Sequence, residues 1–183
     1  ASLLSLRVRD GEGQGESFTV AKGMVEAVDR GAKIINLSLG GSGGSAVLKN
    51  AVEYAHEQGS VIVAAVGNEG ENGVSYPAKF ENVIGVTSVD ANGRQSSFAN
   101  YGEGVDIAAP GVGVYAAWED ESLVAFSGTS SSTAFVSGAL ASEISRNPHL
   151  SNEEVVDLLY QYSNESEKPG FDEFTGNGIL NVG

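Results

Sequence analysis

The chain reads IINLSLGGSGGSAVLKNAVEYAHEQGSVIVAAVG from Ile34 to Gly67. Two apolar runs rich in β-branched residues, at positions 34–39 and 61–66, predict two buried strands. An apolar stripe at helical spacing lies between them, formed by Leu48, Ala51, Val52 and Ala55. A strand, a helix and a second strand in succession predict a parallel pair with a right-handed crossover.

The same alternation extends to both sides of this segment. Residues 3–8 and 83–89 have the composition of further strands. Another helical stripe precedes residue 34, formed by Val20, Met24 and Val28. The pattern therefore predicts an α/β fold with a doubly wound, mainly parallel sheet and helices on both faces. We expect one domain over residues 1–183, with a sheet that is incomplete at the N-terminus because the chain opens inside a strand.

The pattern changes after the fourth predicted strand. Residues 105–109 and 112–117 flank a Pro-Gly pair and predict a β-hairpin. A helix over residues 133–146 has mostly small side chains, which is typical of a helix packed closely inside a domain. Ser151 and Glu154 form the signature of a capping box, so a final amphipathic helix is expected to begin there.

Composition excludes several classes of function. The 183 residues include 24 acidic and 10 basic side chains, for a net charge of −14, and no cysteine. Without a thiol there is no disulfide, no thiolate nucleophile and no cysteine-based metal site. The acidic excess repels phosphate backbones and anionic lipid, so neither nucleic acid nor a membrane is an expected partner.

Glycine-rich segments follow two of the predicted strands, at residues 40–44 and 67–70. Ligands bind outside the carboxyl ends of the strands in an open parallel sheet, so these loops are candidate walls of one cleft. Residues 41–46 also match the form of a dinucleotide-binding fingerprint. The following strand lacks the expected acidic residue at its end, so nucleotide binding is kept only as a third hypothesis.

Ser130 lies where a glycine-led turn runs into the helix of small residues. A serine at a helix N-terminus is close to free backbone N–H groups and to the positive end of the helix dipole, which suits an acyl-transfer nucleophile. The same position also suits a serine that only caps the helix. The residues of this turn alone leave both interpretations open.

Several segments taken together resemble the successive signatures of the subtilisin-like serine proteases, or subtilases. They read INLSLGG at 35–41, VAAVGNEG at 63–70, SYPA at 75–78, AAPG at 108–111, GTS at 128–130 and GNGILNVG at 176–183. Their order and spacing are close to those of the family, and they cover nearly the whole chain. The resemblance implies the C-terminal two-thirds of a subtilisin-like catalytic domain.

The resemblance also implies the roles of individual residues. Ser130 would be the nucleophile, and its backbone N–H together with the Asn68 side chain would form the oxyanion hole. An extended peptide would bind along two walls of a specificity pocket, formed by Ser38, Leu39, Gly40, Ala65, Val66 and Gly67. Ser75, small and uncharged, would lie near the pocket floor, which implies a hydrophobic preference. The peptide bond before Pro77 is expected to be cis.

The aspartate and histidine of the catalytic triad are absent from this chain. The family carries them upstream of the part that residues 1–8 match, and the histidines present, His56 and His149, are typical of a helix surface and of a loop. We therefore expect an N-terminal segment carrying both residues as a partner, and little turnover by this chain alone.

The primary hypothesis is thus a serine endopeptidase that hydrolyses polypeptides and is completed from outside this chain. The alternative is a non-catalytic peptide-binding module that keeps the cleft. The chemistry would need no cofactor, no residue here is assigned to a metal, and a structural calcium ion is compatible with the family. The resemblance also implies a secreted or extracytoplasmic location.

Overall fold

The structure, a computed structural model, describes residues 1–118, 122–164 and 170–181. A six-stranded sheet in the order β1-β2-β3-β4-β8-β7 forms its centre. Its strands are β1 (Ile34–Leu37), β2 (Val61–Ala65), β3 (Val83–Val89), β4 (Ile107–Pro110), β7 (Ser163–Asn164) and β8 (Ile179–Leu180). Neighbouring strands from β1 to β8 are parallel, and only the β7–β8 pair is antiparallel.

Helices cover both faces of this sheet. They are α1 (Ser17–Asp29), α2 (Ala46–Glu57), α3 (Thr129–Arg146) and α4 (Asn152–Gln161). Successive side chains of β2 enter opposite cores: Ile62 joins the core with α1 and α2, and Val63 joins the core with α3 and α4. This is the doubly wound α/β fold predicted from the sequence, so that prediction is confirmed.

Side-chain caps begin two of the helices, and the one at Ser151 was predicted from the sequence. Ser45 Oγ accepts a hydrogen bond from the Leu48 N–H at 3.3 Å, and Ser151 and Glu154 form both bonds of the capping box. However, α3 begins at Thr129, four residues before the predicted start. Its first turn consists of Ser and Thr residues, and the hydroxyls of Thr129, Ser130 and Ser132 donate hydrogen bonds, that of Ser132 to the Ala109 carbonyl at 2.9 Å. Tertiary contacts thus compensate for weak helix propensity.

The strand predicted at residues 3–8 is wrong. This segment pairs with no strand among the described residues, and Leu3 is 99% exposed. Leu6 and Val8 instead pack partly against the core that contains α1 and α2. Apolar composition promotes burial, but a strand also needs a neighbour for its N–H and C=O groups, and the described structure supplies none here.

The hairpin predicted around Pro110-Gly111 is also wrong. β4 joins the central sheet beside β3, whereas β5 (Val114–Ala117) pairs with β6 (Leu123–Phe126) in a separate two-stranded sheet. The Gly111 N–H donates to the Val89 carbonyl at 3.0 Å, and the Gly111 carbonyl accepts from the Gly128 N–H at 2.8 Å. The Pro-Gly pair therefore continues the central sheet toward α3 and does not reverse the chain.

No helix within the described ranges is long and apolar enough to span a membrane.

Candidate active site

Ser130 is the second residue of α3, at the N-terminal end, where the backbone N–H groups have no partner one turn earlier in the helix. It is half-buried and lines a cleft of about 1040 Å³. Two hydrogen bonds join it to the segment that follows β1. The Ser130 hydroxyl donates to the Ser38 carbonyl at 3.3 Å, and the Ser38 hydroxyl donates to the Ser130 carbonyl at 2.9 Å. The nucleophile candidate is thus tied to one of the predicted pocket walls.

Asn68 follows β2 and lines the same cleft as Ser130. Its Oδ1 atom accepts two hydrogen bonds from Thr129, one from the backbone N–H at 2.9 Å and one from the hydroxyl at 3.0 Å. Because these donors identify the oxygen, they also orient the amide, so its NH₂ group is the end left for another acceptor. The structure therefore brings Asn68 next to the residue that precedes Ser130.

The two predicted walls of the specificity pocket converge on Ser75. A Cβ atom at Gly40 would lie 2.9 Å from the Ser75 Cβ and 3.6 Å from the Ala65 carbonyl oxygen. A Cβ atom at Gly67 would lie 2.9 Å from the Ser75 hydroxyl, and the φ of Gly67 is +117°, a conformation that other residues rarely adopt. Glycine at both positions therefore lets the walls approach the predicted floor.

Backbone hydrogen bonds hold Ser75 and Tyr76 between these walls. The Ser75 N–H donates to the Val66 carbonyl at 2.8 Å, and Tyr76 and Gly41 exchange two bonds of 2.8 and 3.0 Å. The Tyr76–Pro77 peptide bond is cis, as predicted. The sequence motifs around positions 40, 66 and 75 thus meet in space although they lie on different loops.

The cleft that contains Ser130 and Asn68 extends away from the predicted walls. Among the described residues that line it, none belongs to those walls, and Leu39 packs partly against the core of α1 and α2. The cleft runs along α3 and β6 toward apolar side chains such as Phe126 and Phe135. The sequence analysis did not predict a role for Thr129. Its place beside Ser130 in the GTS segment was the one feature that could have indicated it.

The model of the subtilase family matches residues 1–178. The chain belongs to the subtilase family. It is 47% identical to thermitase from Thermoactinomyces vulgaris over 146 residues, which cover 78% of this chain and 52% of thermitase. Subtilisin DY from Bacillus licheniformis is 37% identical over 185 residues, covering 99% of this chain and 66% of that protein.

The comparison with solved structures supports the same family assignment. Sphericase superposes on the subtilase chain with a TM-score of 0.90 at 30% identity, covering 96% of this chain and 67% of the sphericase chain. The chain spans about half to two thirds of the length of the curated relatives named here.

The described part of this subtilase chain offers Ser130 no basic partner. Its hydroxyl donates to a carbonyl oxygen, which cannot take up the proton. His56 lies exposed at the end of α2, and His149 lies exposed in the loop before α4. The described residues also contain no group of three or more His, Cys, Asp or Glu side chains that could hold a metal ion.

Asp106 is a partly buried acid that does not line the cleft of Ser130. It directly precedes β4, whereas Asn68 follows the C-terminal end of β2. Burial raises the pKa of Asp106 to about 6, although the hydrogen bond that its carboxylate accepts from the Gly85 N–H at 2.7 Å acts in the other direction. The raised pKa of Asp106 therefore makes the stability of the subtilase chain depend on pH.

Proposed function

We propose that this chain is the part of a serine endopeptidase that carries the nucleophile and the oxyanion hole. One observation supports this above all others. Thr129 donates from both its N–H and its hydroxyl to Asn68 Oδ1, which orients the amide beside the N-terminus of α3, where Ser130 lies. A serine that only capped the helix would not require an oriented amide at that point.

In the proposed reaction, Ser130 Oγ attacks the carbonyl carbon of a peptide bond and its proton passes to a general base. The carbonyl oxygen becomes an oxyanion that accepts hydrogen bonds from the Asn68 NH₂ group and from the Ser130 N–H. Asn68 suits this role because a neutral amide donates without ionising. The amine then leaves with a proton from the same base, and water hydrolyses the acyl-enzyme.

The general base and its orienting carboxylate come from a segment outside this chain, which we propose supplies a histidine and an aspartate. The Ser130 hydroxyl, which bonds to a backbone carbonyl here, would turn toward that histidine. Without the base, only about 10³- to 10⁴-fold acceleration over water is expected, a range that was measured on a subtilisin. No cofactor takes part, and we propose a secreted or extracytoplasmic location on the basis of the family.

Polypeptides are the proposed substrates. Backbone groups of residues 38–40 and 65–67 would pair with an extended peptide, as an added strand pairs with a sheet edge. Ser75 lies where the two walls meet and offers neither charge nor bulk. We therefore propose an apolar side chain on the acyl side of the cleaved bond, which cleavage-site profiling with a peptide library would test.

The nucleophile is tested by labelling with a fluorophosphonate in the protein that includes the aspartate- and histidine-bearing segment. We expect one adduct on Ser130, located by peptide mass spectrometry, and its loss in Ser130→Ala. Ser142→Ala is the matched control, because Ser142 lies exposed on the same helix and lines the same cleft. Absence of an adduct on Ser130 in the folded, completed protein would contradict the proposal.

A non-catalytic peptide-binding module is the second candidate. It is favoured by the hydrogen bond of the Ser130 hydroxyl to the Ser38 carbonyl, which leaves the hydroxyl without a base in the described residues. This candidate predicts that the completed protein binds peptides without cleaving them and that Ser130→Ala leaves the affinity unchanged. Cleavage that depends on Ser130 would exclude it.

A further inference from the structure

Asn100 is 2% exposed, and its side chain lies inside the loop that carries Asn68. Its Oδ1 atom accepts hydrogen bonds from the N–H groups of Glu69 and Glu71, at 2.9 and 3.3 Å. Its NH₂ group donates to the Glu69 carboxylate at 2.7 Å, to the Gly73 carbonyl at 3.0 Å and, more weakly, to the Val66 carbonyl at 3.4 Å. One amide thus contacts the loop on both sides of Asn68.

The backbone of Asn100 anchors this amide to the central sheet. Its N–H donates to the Gly67 carbonyl at 3.1 Å, and its carbonyl accepts from the Thr87 hydroxyl at 3.0 Å. Thr87 is fully buried in β3. A Cβ atom at Gly67 would overlap the Asn100 amide, so glycine is required there for the contact to form. Asn100 therefore connects a rigid strand to the loop.

Besides Asn100, the loop is held by Tyr101, whose N–H donates to the Glu71 carbonyl at 3.2 Å and whose carbonyl accepts from the Gly73 N–H at 3.0 Å, and by Thr129, which bonds to Asn68. Residues 68–73 are all exposed, and burial resumes only at Val66 before the loop and at Val74 after it. Exposed loops with few apolar contacts open at low free-energy cost. Hydrogen bonds to a buried, fully satisfied amide are the kind of contact that specifies one conformation.

We propose that Asn100 is a positioning residue that holds the Asn68 amide at the oxyanion site. The inference rests on the proposed function, because it concerns the placement of the donor that stabilises the oxyanion. Such donors must be held to within about 0.5 Å of their productive position. Thr129 orients the amide of Asn68, and Asn100 holds the backbone from which that amide projects.

Asn100→Asp tests this role in the completed protein. The variant keeps the acceptor for the Glu69 and Glu71 N–H groups, but it loses the NH₂ donors and puts a carboxylate beside that of Glu69. We expect kcat to fall roughly 10- to 100-fold with KM nearly unchanged, since displacement by about an ångström costs up to about 10²-fold. Asn50→Asp, at an exposed position of α2, adds the same charge and is expected to keep full activity.

A double-mutant cycle with Asn68→Ala separates positioning from a general structural effect. If Asn100 acts through Asn68, Asn100→Asp lowers kcat much less in the Asn68→Ala background than in the original protein. An equal loss in both backgrounds would overturn the inference while leaving the proposed function intact. If Asn68→Ala by itself leaves kcat unchanged, the result contradicts the oxyanion hole of the proposed function.

Two further variants complete the test. In Asn100→Asp, adding Glu69→Gln removes the like-charge contact and supplies an amide donor to the new carboxylate, so at least part of kcat is expected to return. Thr87→Val removes only the hydroxyl that donates to the Asn100 carbonyl. It is the alternative test of the positioning role if Asn100→Asp does not fold. An unchanged kcat in a folded Thr87→Val would then contradict the role.

Discussion

Asn68 is the side chain on which the proposed chemistry depends most directly. Replacing it with alanine removes the proposed oxyanion donor, and we expect kcat to fall by about 10² to 10³, a loss measured for this kind of donor in a subtilisin. KM should change little, because the bond strengthens as charge develops in the transition state. Steady-state kinetics on the completed protein measure both constants. Asn50→Ala, at an exposed site on α2, is the control and should retain normal kinetics.

Asp106 makes stability depend on pH in a direction set by its burial. Its folded-state pKa is about 6, above the ordinary value of 3.8, so the unfolded chain ionises first as the pH rises. The free energy of unfolding should therefore fall between about pH 4 and pH 6 and then level off. The loss is about 2 to 3 kcal/mol, since each pKa unit corresponds to about 1.4 kcal/mol.

Asp106→Asn isolates this effect. The side-chain oxygen of asparagine can still accept from the Gly85 N–H, but it carries no charge in this partly buried position near Tyr160, whose pKa is raised by burial and by the charge of Asp106. Thermal unfolding should show the variant more stable than the original protein at pH 8 and similar to it at pH 4. A constant difference across that range would show that the charge is not the cause.

Among helices, α4 depends on a cap that its own sequence encodes. The Ser151 hydroxyl accepts from the Glu154 N–H at 3.2 Å, and the Glu154 carboxylate accepts from the Ser151 N–H at 2.8 Å. Ser151→Ala should lower the free energy of unfolding by about 1 kcal/mol. Chemical denaturation would measure the change, with Ser2→Ala at the exposed N-terminal segment as a control that should leave the midpoint unchanged.

The contrast between α4 and residues 3–8 shows which elements are predictable from local pattern. The cap of α4 lies within four residues of sequence, so its signature is sufficient to locate the helix start. A strand depends on a partner that lies elsewhere in the chain, and the apolar residues at 3–8 have no such partner in the described structure. β5 illustrates the same limit, since its partner is β6 and not the nearer β4.

For the protein as a whole, stability depends on the core between the sheet and α3. Leu140 is fully buried there, in the same core as Val63 and Ile107. Leu140→Ala should lower the free energy of unfolding by about 2 to 5 kcal/mol, because it leaves a cavity. Leu3→Ala makes the same chemical change at a residue that is 99% exposed and should cost almost nothing. Equal effects would contradict the described core.

The alternation of strands and helices, the helix caps and the family motifs could all be predicted from the order of residues. Each depends on neighbours a few positions apart or on the succession of segments, and Ser130 and Asn68 were selected as candidate site residues in this way. The contacts that orient them could not be predicted. Asn68 meets Thr129 across 61 positions and Asn100 holds the Asn68 loop from 31 positions away, because only packing of the sheet and its loops brings such distant groups within hydrogen-bonding distance.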